Sequence, residues 1–402
     1  MTDSTTDCCI IGGGIIGLSI ARELAGRGLS VRVLARDASR DTASWAAAGI
    51  FPPVAASATA SPNDRLTFWS DQLHRNWSAE LRAETGIDNE LGACGGLHLA
   101  GDERGIDRLR KAALLWHAKG IACDSLSGPD VAEREPALRG AVEADRIVGG
   151  FLLPEETRIR PPRHLEALVQ SCRLRGVEIT SGAEVREIEI RHGRIERLIC
   201  SGGLGATTLD TIQADRYCLA AGAWSGRLLE SLGLRIETRP IRGQIALLRL
   251  PTQLLTRVVN MGLEYFVPRT DGRLLVGSTI EDAGFAPTTT PAAIERLLGF
   301  AHQFLGPLPE AVVEQSWAGL RPGSVDGLPF IGAVPDCSNA FVATGHFRAG
   351  LHQSTGTAVL VADLMTGRPP ALDPAPFAAD RKPDPGSPDS VASYLARAAA
   401  LA

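Results

Sequence analysis

No run of about 18 apolar residues occurs anywhere in this 402-residue chain, so a membrane-spanning helix is not expected. A net charge of −5 leaves no basic excess, which removes the electrostatic footprint of a nucleic-acid-binding protein. Eight cysteines are present but none are spaced C-x-x-C, and the eight histidines form neither H-x-x-x-H nor H-E-x-x-H. No structural or catalytic metal is therefore expected. The scattered cysteines fit reduced, mostly buried thiols, with Cys8 and Cys9, adjacent in one strand, facing opposite sides. The N-terminus carries Asp3 and Asp7 and enters an apolar strand directly, unlike a secretory leader, so the expected compartment is the cytoplasm. No internal repeat is found. A second glycine turn of the nicotinamide-binding type is also missing, which argues against an NAD-dependent dehydrogenase.

Against these absences stands one strong local pattern. Cys8-Cys9-Ile10-Ile11-Gly12-Gly13-Gly14-Ile15-Ile16-Gly17 places G-x-G-x-x-G between an apolar strand, Asp7–Ile11, and a helix over Ile15–Arg27. Gly12 permits the tight bend, Gly14 lets backbone approach a pyrophosphate, and Gly17 lets the helix pack close to the strand. The pyrophosphate would rest on the helix N-terminus, where free N–H groups and the dipole favour negative charge. Gly28 ends the helix, and Val31–Leu34 is the second strand of a β-α-β unit. The alternative is a unit that uses its glycines for packing alone.

With 44% hydrophobic and 22% charged residues, the composition is that of an ordinary globular protein with length enough for two domains. The small-residue stretch Thr42–Ile50 leaves room for a flat ligand against backbone, or alternatively begins an alanine-rich helix. Asn63 or Asp64 can cap a helix reaching Gly86, with Leu66, Trp69, Leu73, Trp77 and Leu81 on one core-facing stripe. Further helices are expected over Ile106–Lys119, Pro161–Arg175, Pro291–Phe304 and 350–366. Short β-runs at Val177–Thr180, Glu184–Ile190, Arg194–Cys200 and Tyr217–Gly222 follow helix Pro161–Arg175. Apolar strands alternating with turns from Ile241 to Ser278 predict an antiparallel sheet separate from the N-terminal parallel one, and another strand is expected near Val312–Trp317. The stretch Pro369–Pro388 is expected to be a linker to a short Ala/Leu-rich tail helix.

Several separated segments match one family in order. They are the glycine turn, Ser44-Trp45-Ala46-Ala47-Ala48-Gly49, Arg239-Pro240-Ile241-Arg242-Gly243-Gln244, and Tyr265-Phe266-Val267-Pro268-Arg269 with Gly277-Ser278-Thr279. Trp317-Ala318-Gly319-Leu320-Arg321-Pro322, Asp326-Gly327-Leu328-Pro329 and Gly345-His346-Phe347-Arg348 complete the set. On these residues the chain resembles the flavin-dependent D-amino-acid oxidase superfamily, and within it the glycine oxidases of thiamine biosynthesis. The resemblance implies an α/β fold: a Rossmann-like FAD-binding domain from 1–56, 150–226 and 318–380, interleaved with an antiparallel-sheet α+β substrate domain from 57–149 and 227–317, and a tail at 381–402. It also implies non-covalent FAD. Gly12, Gly14, Ile15, Ile16 and Gly17 would serve the pyrophosphate, and Ala43, Ser44, Ala48, Gly49 and Ile50 would border the phosphates and the flavin ring. Val185 would present backbone to the adenine, and Ala221 and Gly222 would close over the cofactor. His346, Phe347, Arg348, Ala349, Gly350, Leu351 and His352 would pass along the pyrimidine side of the flavin.

Two departures stand out. Ala35 replaces the acidic residue that usually ends the second strand and binds ribose. The run Leu34-Ala35-Arg36-Asp37 is similar to fungal D-amino-acid oxidases instead, so Asp37 is expected to take the ribose or Arg36 the phosphates; a solvated loop charge is the alternative for Arg36. The second departure is Arg348-Ala349-Gly350-Leu351-His352-Gln353-Ser354-Thr355, where glycine oxidases usually continue Arg-Asn-Gly-Ile-Leu-Leu-Ala-Pro.

An amino acid oxidised at a flavin must have its carboxylate fixed, and a planar guanidinium does this best. Arg321, expected just after a strand and flanked by Gly319, Pro322 and Gly323, matches the family's carboxylate-binding position; bracing the loop is its other reading. Tyr265 matches a substrate-pocket position where its hydroxyl can donate, or else it is a core tyrosine. Arg348 is expected near the flavin and the substrate amine, or stabilising reduced-flavin charge. His352, a lone histidine at a helix start, is expected to be structural rather than a base. The implied reaction is hydride transfer from Cα to flavin N5. The imine product hydrolyses to a 2-oxo acid and ammonia, and molecular oxygen returns hydrogen peroxide. A dehydrogenase or N-methyl amino-acid oxidase of the same fold and a non-catalytic flavin-binding protein are the competing readings. A homo-oligomer is left open.

Overall fold

Buried parallel strands are apolar on both faces, and the first strand shows why. In the computed structural model, which describes residues 6–36, 42–57, 60–201, 209–308, 310–387 and 390–399, strand Thr6–Ile11 sends Cys8 and Ile10 into one core and Cys9 and Ile11 into another. It lies between Val31–Ala35 and Ala214–Leu219, parallel to both. The six-stranded sheet runs in the order Phe330–Ala333, Ala340–Thr344, Ala214–Leu219, Thr6–Ile11, Val31–Ala35, Glu178–Ser181, and only the Phe330–Ala333 pairing is antiparallel. Helices Ile15–Gly26, Ser354–Thr366, Pro161–Leu174 and Pro62–Thr85 pack together over one core. On the other face, Ile188, Ile195, Leu198 and Ile212 of a three-stranded antiparallel sheet pack on Tyr217 and Leu219.

The second sheet has eight strands, in the order Val312–Ser324, Thr238–Arg249, Arg273–Gly277, Glu264–Pro268, Val258–Met261, Gly96–Ala100, Gly149–Leu153, Asp124–Ser127. All its pairings are antiparallel except that between Val258–Met261 and Gly96–Ala100. Helix Pro291–Leu305 lays Leu297, Phe300 and Phe304 over Phe266, Leu248 and Val276. Phe300 and Phe266 stack with centroids 4.6 Å apart. Two of the expected segment boundaries, at 150 and 318, fall inside strands Gly149–Leu153 and Val312–Ser324.

Three local expectations are corrected. Ser61, not Asn63 or Asp64, caps helix Pro62–Thr85, and Asp64 completes a capping box as its third residue. Pro62 favours the first helical position and holds its predecessor extended, which moves the cap back to Ser61. The strand expected near Val312–Trp317 continues to Ser324, so Arg321 lies within it rather than after it. Pro322 faces Pro240 across the ladder, which tolerates both missing donors. The stretch Thr42–Ala46 is a turn rather than a helix start, closed by the Ala46 amide donating to the Thr42 carbonyl (3.0 Å). No helix among the described residues is long and apolar enough to cross a membrane.

Candidate active site

The carboxyl ends of the parallel strands and the inner face of the large antiparallel sheet enclose a cavity of about 450 Å³. One end is formed by Arg36, Ala183, Glu184, Val185, Trp224 and Leu228; the other by Gly243, Tyr265, Gly319, Arg321, Phe347 and Arg348. Between them run Gly12–Ile16, Ala43–Ile50 and Ala220–Gly222.

The middle section is built for close backbone approach. Gly12 has φ +128°, and a Cβ there would overlap the Ala220 carbonyl oxygen. A Cβ on Gly17 would overlap the Gly12 carbonyl oxygen, so helix Ile15–Gly26 can begin here only with glycine at 17. Gly14, the residue before the helix, contributes no side-chain cap, and the first turn holds no acid; Ser44 Oγ accepts from the Ile15 amide at 2.9 Å. Such a helix start is an anion site. Arg269, 3% exposed, braces the Ala-rich turn by donating to the Ala48 carbonyl at 2.7 Å and the Ile159 carbonyl at 2.9 Å. Burial pulls its pKa down to about 10. A cradle of glycine and alanine opening on a helix start with no acid in its first turn fits a long, flat dinucleotide with a central pyrophosphate, and FAD has that shape and charge.

At the other end Arg321 lies over Gly243, whose Cβ would overlap the guanidinium. Its Nη2 donates to Ser278 Oγ at 2.9 Å and its Nη1 to the Thr279 carbonyl at 3.2 Å. Both acceptors are neutral, and no carboxylate pairs with Arg321 among the described residues. Burial pushes its pKa down to about 10, the Arg348 charge adds to the lowering, and Tyr265 opposes it. The Tyr265 ring packs where a Cβ of Gly277 would come within 2.6 Å of it. A half-buried cation, held by neutral groups and facing a cavity beside a tyrosine, can receive a carboxylate.

Of the candidate residues, Gly12, Gly14, Ile15, Ile16, Arg36, Ala43, Ser44, Ala48, Gly49, Ile50, Val185, Ala221 and Gly222 line this cavity with Tyr265 and Arg321. His346, Phe347, Arg348, Gly350, Leu351 and His352 line it as well. Gly17, Ala35 and Ala349 are not on its wall: Gly17 closes the turn, and Ala35 is 3% exposed, touching the space a Cβ of Gly13 would fill. Asp37 lies outside the described residues. Arg36 is exposed and sits over the Trp224 ring, 4.0 Å from its centroid. His352 stacks on Phe51 at 4.1 Å with Nε2 3.1 Å from Asp71 Oδ1, a bracing position. His346, 3% exposed, has Nε2 3.0 Å from Thr357 Oγ1, and burial pushes its pKa down to about 3. Sequence reasoning missed Gly243, Ser278 and Thr279 as the support of Arg321, although all three lie inside the quoted motifs. It also missed Trp224, two residues past Gly222.

Residues 7–364 match the family model described as FAD dependent oxidoreductase. Glycine oxidase of Pseudomonas aeruginosa is 36% identical over 92% of this chain and 97% of its own length. The bifunctional protein ThiO/ThiG of Synechocystis is 33% identical over 90% of this chain and 52% of its own length. The crystal structure of glycine oxidase from Geobacillus kaustophilus superposes with a TM-score of 0.85 at 31% identity, covering 94% of this chain and all of that one. The chain belongs to the family of FAD-dependent oxidoreductases.

Proposed function

We propose that this FAD-dependent oxidoreductase oxidises glycine or another small amino acid to the 2-oxo acid, ammonia and hydrogen peroxide. The observation that carries the proposal is Arg321, a half-buried guanidinium bonded only to neutral acceptors and lining the same cavity as the glycine turn. The glycine oxidase relatives support the same reading over nearly their whole length.

FAD, when bound, supplies the hydride acceptor that oxygen then restores. The protein's part is positional. Gly12–Ile16 and the start of helix Ile15–Gly26 would hold the pyrophosphate, Ala43–Ile50 the ring, and Arg36 with Val185 the adenosine end. Arg321 takes the substrate carboxylate in a forked contact, and Tyr265 donates its hydroxyl to the same group. Fixing both carboxylate oxygens leaves rotation about one axis and aims the Cα–H bond into the cavity. Gly243 and Gly277 keep that corner narrow, and the apolar walls exclude water from the reacting carbon. Arg348, exposed at the cavity edge, adds a second positive charge that draws an anionic substrate inward.

Replacing Arg321 tests this directly. Arg321→Ala is expected to keep the yellow flavin absorbance while kcat/KM for glycine falls by a factor corresponding to about 3 kcal/mol or more. Unchanged kinetics in that variant would remove Arg321 from the role.

A further inference from the structure

We infer that the C-terminal helix Val391–Ala399 fixes the carboxylate end of the cavity from outside, with Tyr394 as a positioning residue that holds Phe347 and aims Arg348. The inference rests on the substrate site proposed above, and the helix lies beyond the residues matched by the family model.

The helix carries an apolar stripe at i, i+3, i+4, i+7: Val391, Tyr394, Leu395 and Ala398. That stripe is docked, with Val391 3% exposed, against Ile241, Ile280, Leu263 and Phe347. Three of these partners adjoin residues of the site. Ile241 faces Arg321 across the ladder, Ile280 follows the Thr279 that accepts from Arg321, and Phe347 precedes Arg348. At Gly323 a Cβ would overlap the Val391 side chain, so the large sheet meets this helix at a position only glycine leaves open.

Phe347 has φ +47°, a left-handed conformation that a bulky residue keeps only when its surroundings impose it. Its backbone amide donates to the Pro322 carbonyl at 2.9 Å. Its ring is met edge-on by Tyr394, centroids 5.2 Å apart. The Arg348 guanidinium carbon lies 5.4 Å from the Tyr394 centroid, within cation–π range. One aromatic side chain therefore touches both the strained residue and the cation after it. Released from that contact, Phe347 can relax toward negative φ and swing Arg348 away from the substrate end, which weakens carboxylate binding and loosens the wall. The linker is tied down independently: Arg381 pairs with Asp326 at 2.5 Å, the two side chains 9% and 6% exposed, and Phe377 is fully buried.

The test is calorimetric titration of the FAD-loaded protein with two unreactive carboxylates, acetate as the small probe and benzoate as the large one. Tyr394→Leu is expected to raise the acetate dissociation constant about three- to fivefold, the scale of one cation–π contact, and to raise the ratio of the acetate to the benzoate dissociation constant above its wild-type value. Tyr394→Phe keeps the ring and should restore wild-type binding. Truncation after Gly386 should reproduce the leucine variant; if the shortened chain does not fold, the two point variants carry the test. Unchanged dissociation constants in Tyr394→Leu, with only a lower melting temperature, would overturn the inference, as would equal losses in Tyr394→Leu and Tyr394→Phe. Wild-type protein that binds acetate yet oxidises no amino acid sinks the proposed function and leaves this inference standing.

Discussion

Gly243 and Arg321 lie on neighbouring strands, and the guanidinium occupies the volume that any side chain at 243 would need. The flexible end of Arg321 would yield before the ladder does, because the ladder is held along its length by pairing with Thr238–Arg249. Gly243→Ala is therefore expected to raise KM for the amino acid by about tenfold or more, with cofactor content and melting temperature nearly unchanged. Combining it with Arg321→Ala should add little, since both act through one group, and additive losses in that double-mutant cycle would argue against the coupling. The two residues were legible in different degrees. Arg321 was visible because an arginine between glycines and a proline matches a family position. Gly243 was quoted in a motif but given no task, because its task exists only once strand Thr238–Arg249 is laid beside strand Val312–Ser324.

Among elements, the first strand, its turn and helix Ile15–Gly26 act as one unit. Gly17 and Gly28 show how differently two glycines in such a unit behave. A Cβ at Gly17 would meet the Gly12 carbonyl oxygen, part of a turn that cannot shift without losing its approach to the cavity, whereas Gly28 has φ +87° with nothing within 4 Å. Gly17→Ala should cost about 3 kcal/mol or more and lower the ratio of flavin to protein absorbance. Gly28→Ala should cost only about 1–2 kcal/mol, the strain of a left-handed residue, and leave that ratio intact. This unit was fully legible because its signals are local: alternation in the strand, glycine spacing in the turn, periodicity in the helix. Helix Pro62–Thr85 was legible in extent but not in its cap, since Ser61, Asn63 and Asp64 are all good caps and only the extended backbone before Pro62 chooses among them.

At the scale of the whole molecule, the packing of distant segments buries three histidines in neutral form. His74 Nε2 donates to the carbonyls of Leu351 (3.1 Å) and His352 (2.9 Å), joining helix Pro62–Thr85 to the segment entering helix Ser354–Thr366. Burial holds His74 well below its usual pKa, His164 at about 4 and His346 at about 3. Below the unfolded value of about 6.5, the unfolded chain takes up protons that the folded one refuses. The stability they contribute is complete above that value and is lost as pH falls toward 4 and then 3. Between about pH 7.5 and pH 5, His164 and His346 should each cost about 2 kcal/mol, and His74 lowers stability in the same direction. Urea unfolding followed by tryptophan fluorescence at the two pH values measures it. A flat profile would show that these rings take up protons while the protein remains folded.

The β-α-β start, the alternation that separates Cys8 from Cys9 and the succession of two kinds of sheet were legible from periodicity and residue type within a few turns or strands. The residues expected along the cavity beyond the glycine turn came instead from the resemblance to a flavin-dependent family. Tertiary structure decided what those patterns leave open. It placed Arg321 within a strand, gave it Ser278 and Thr279 as neutral partners from 42–43 residues away, and laid the tail helix on Phe347. The physical reason is that burial and partnership depend on which distant backbones come into register, and register is fixed by the closure of the whole core rather than by any one segment.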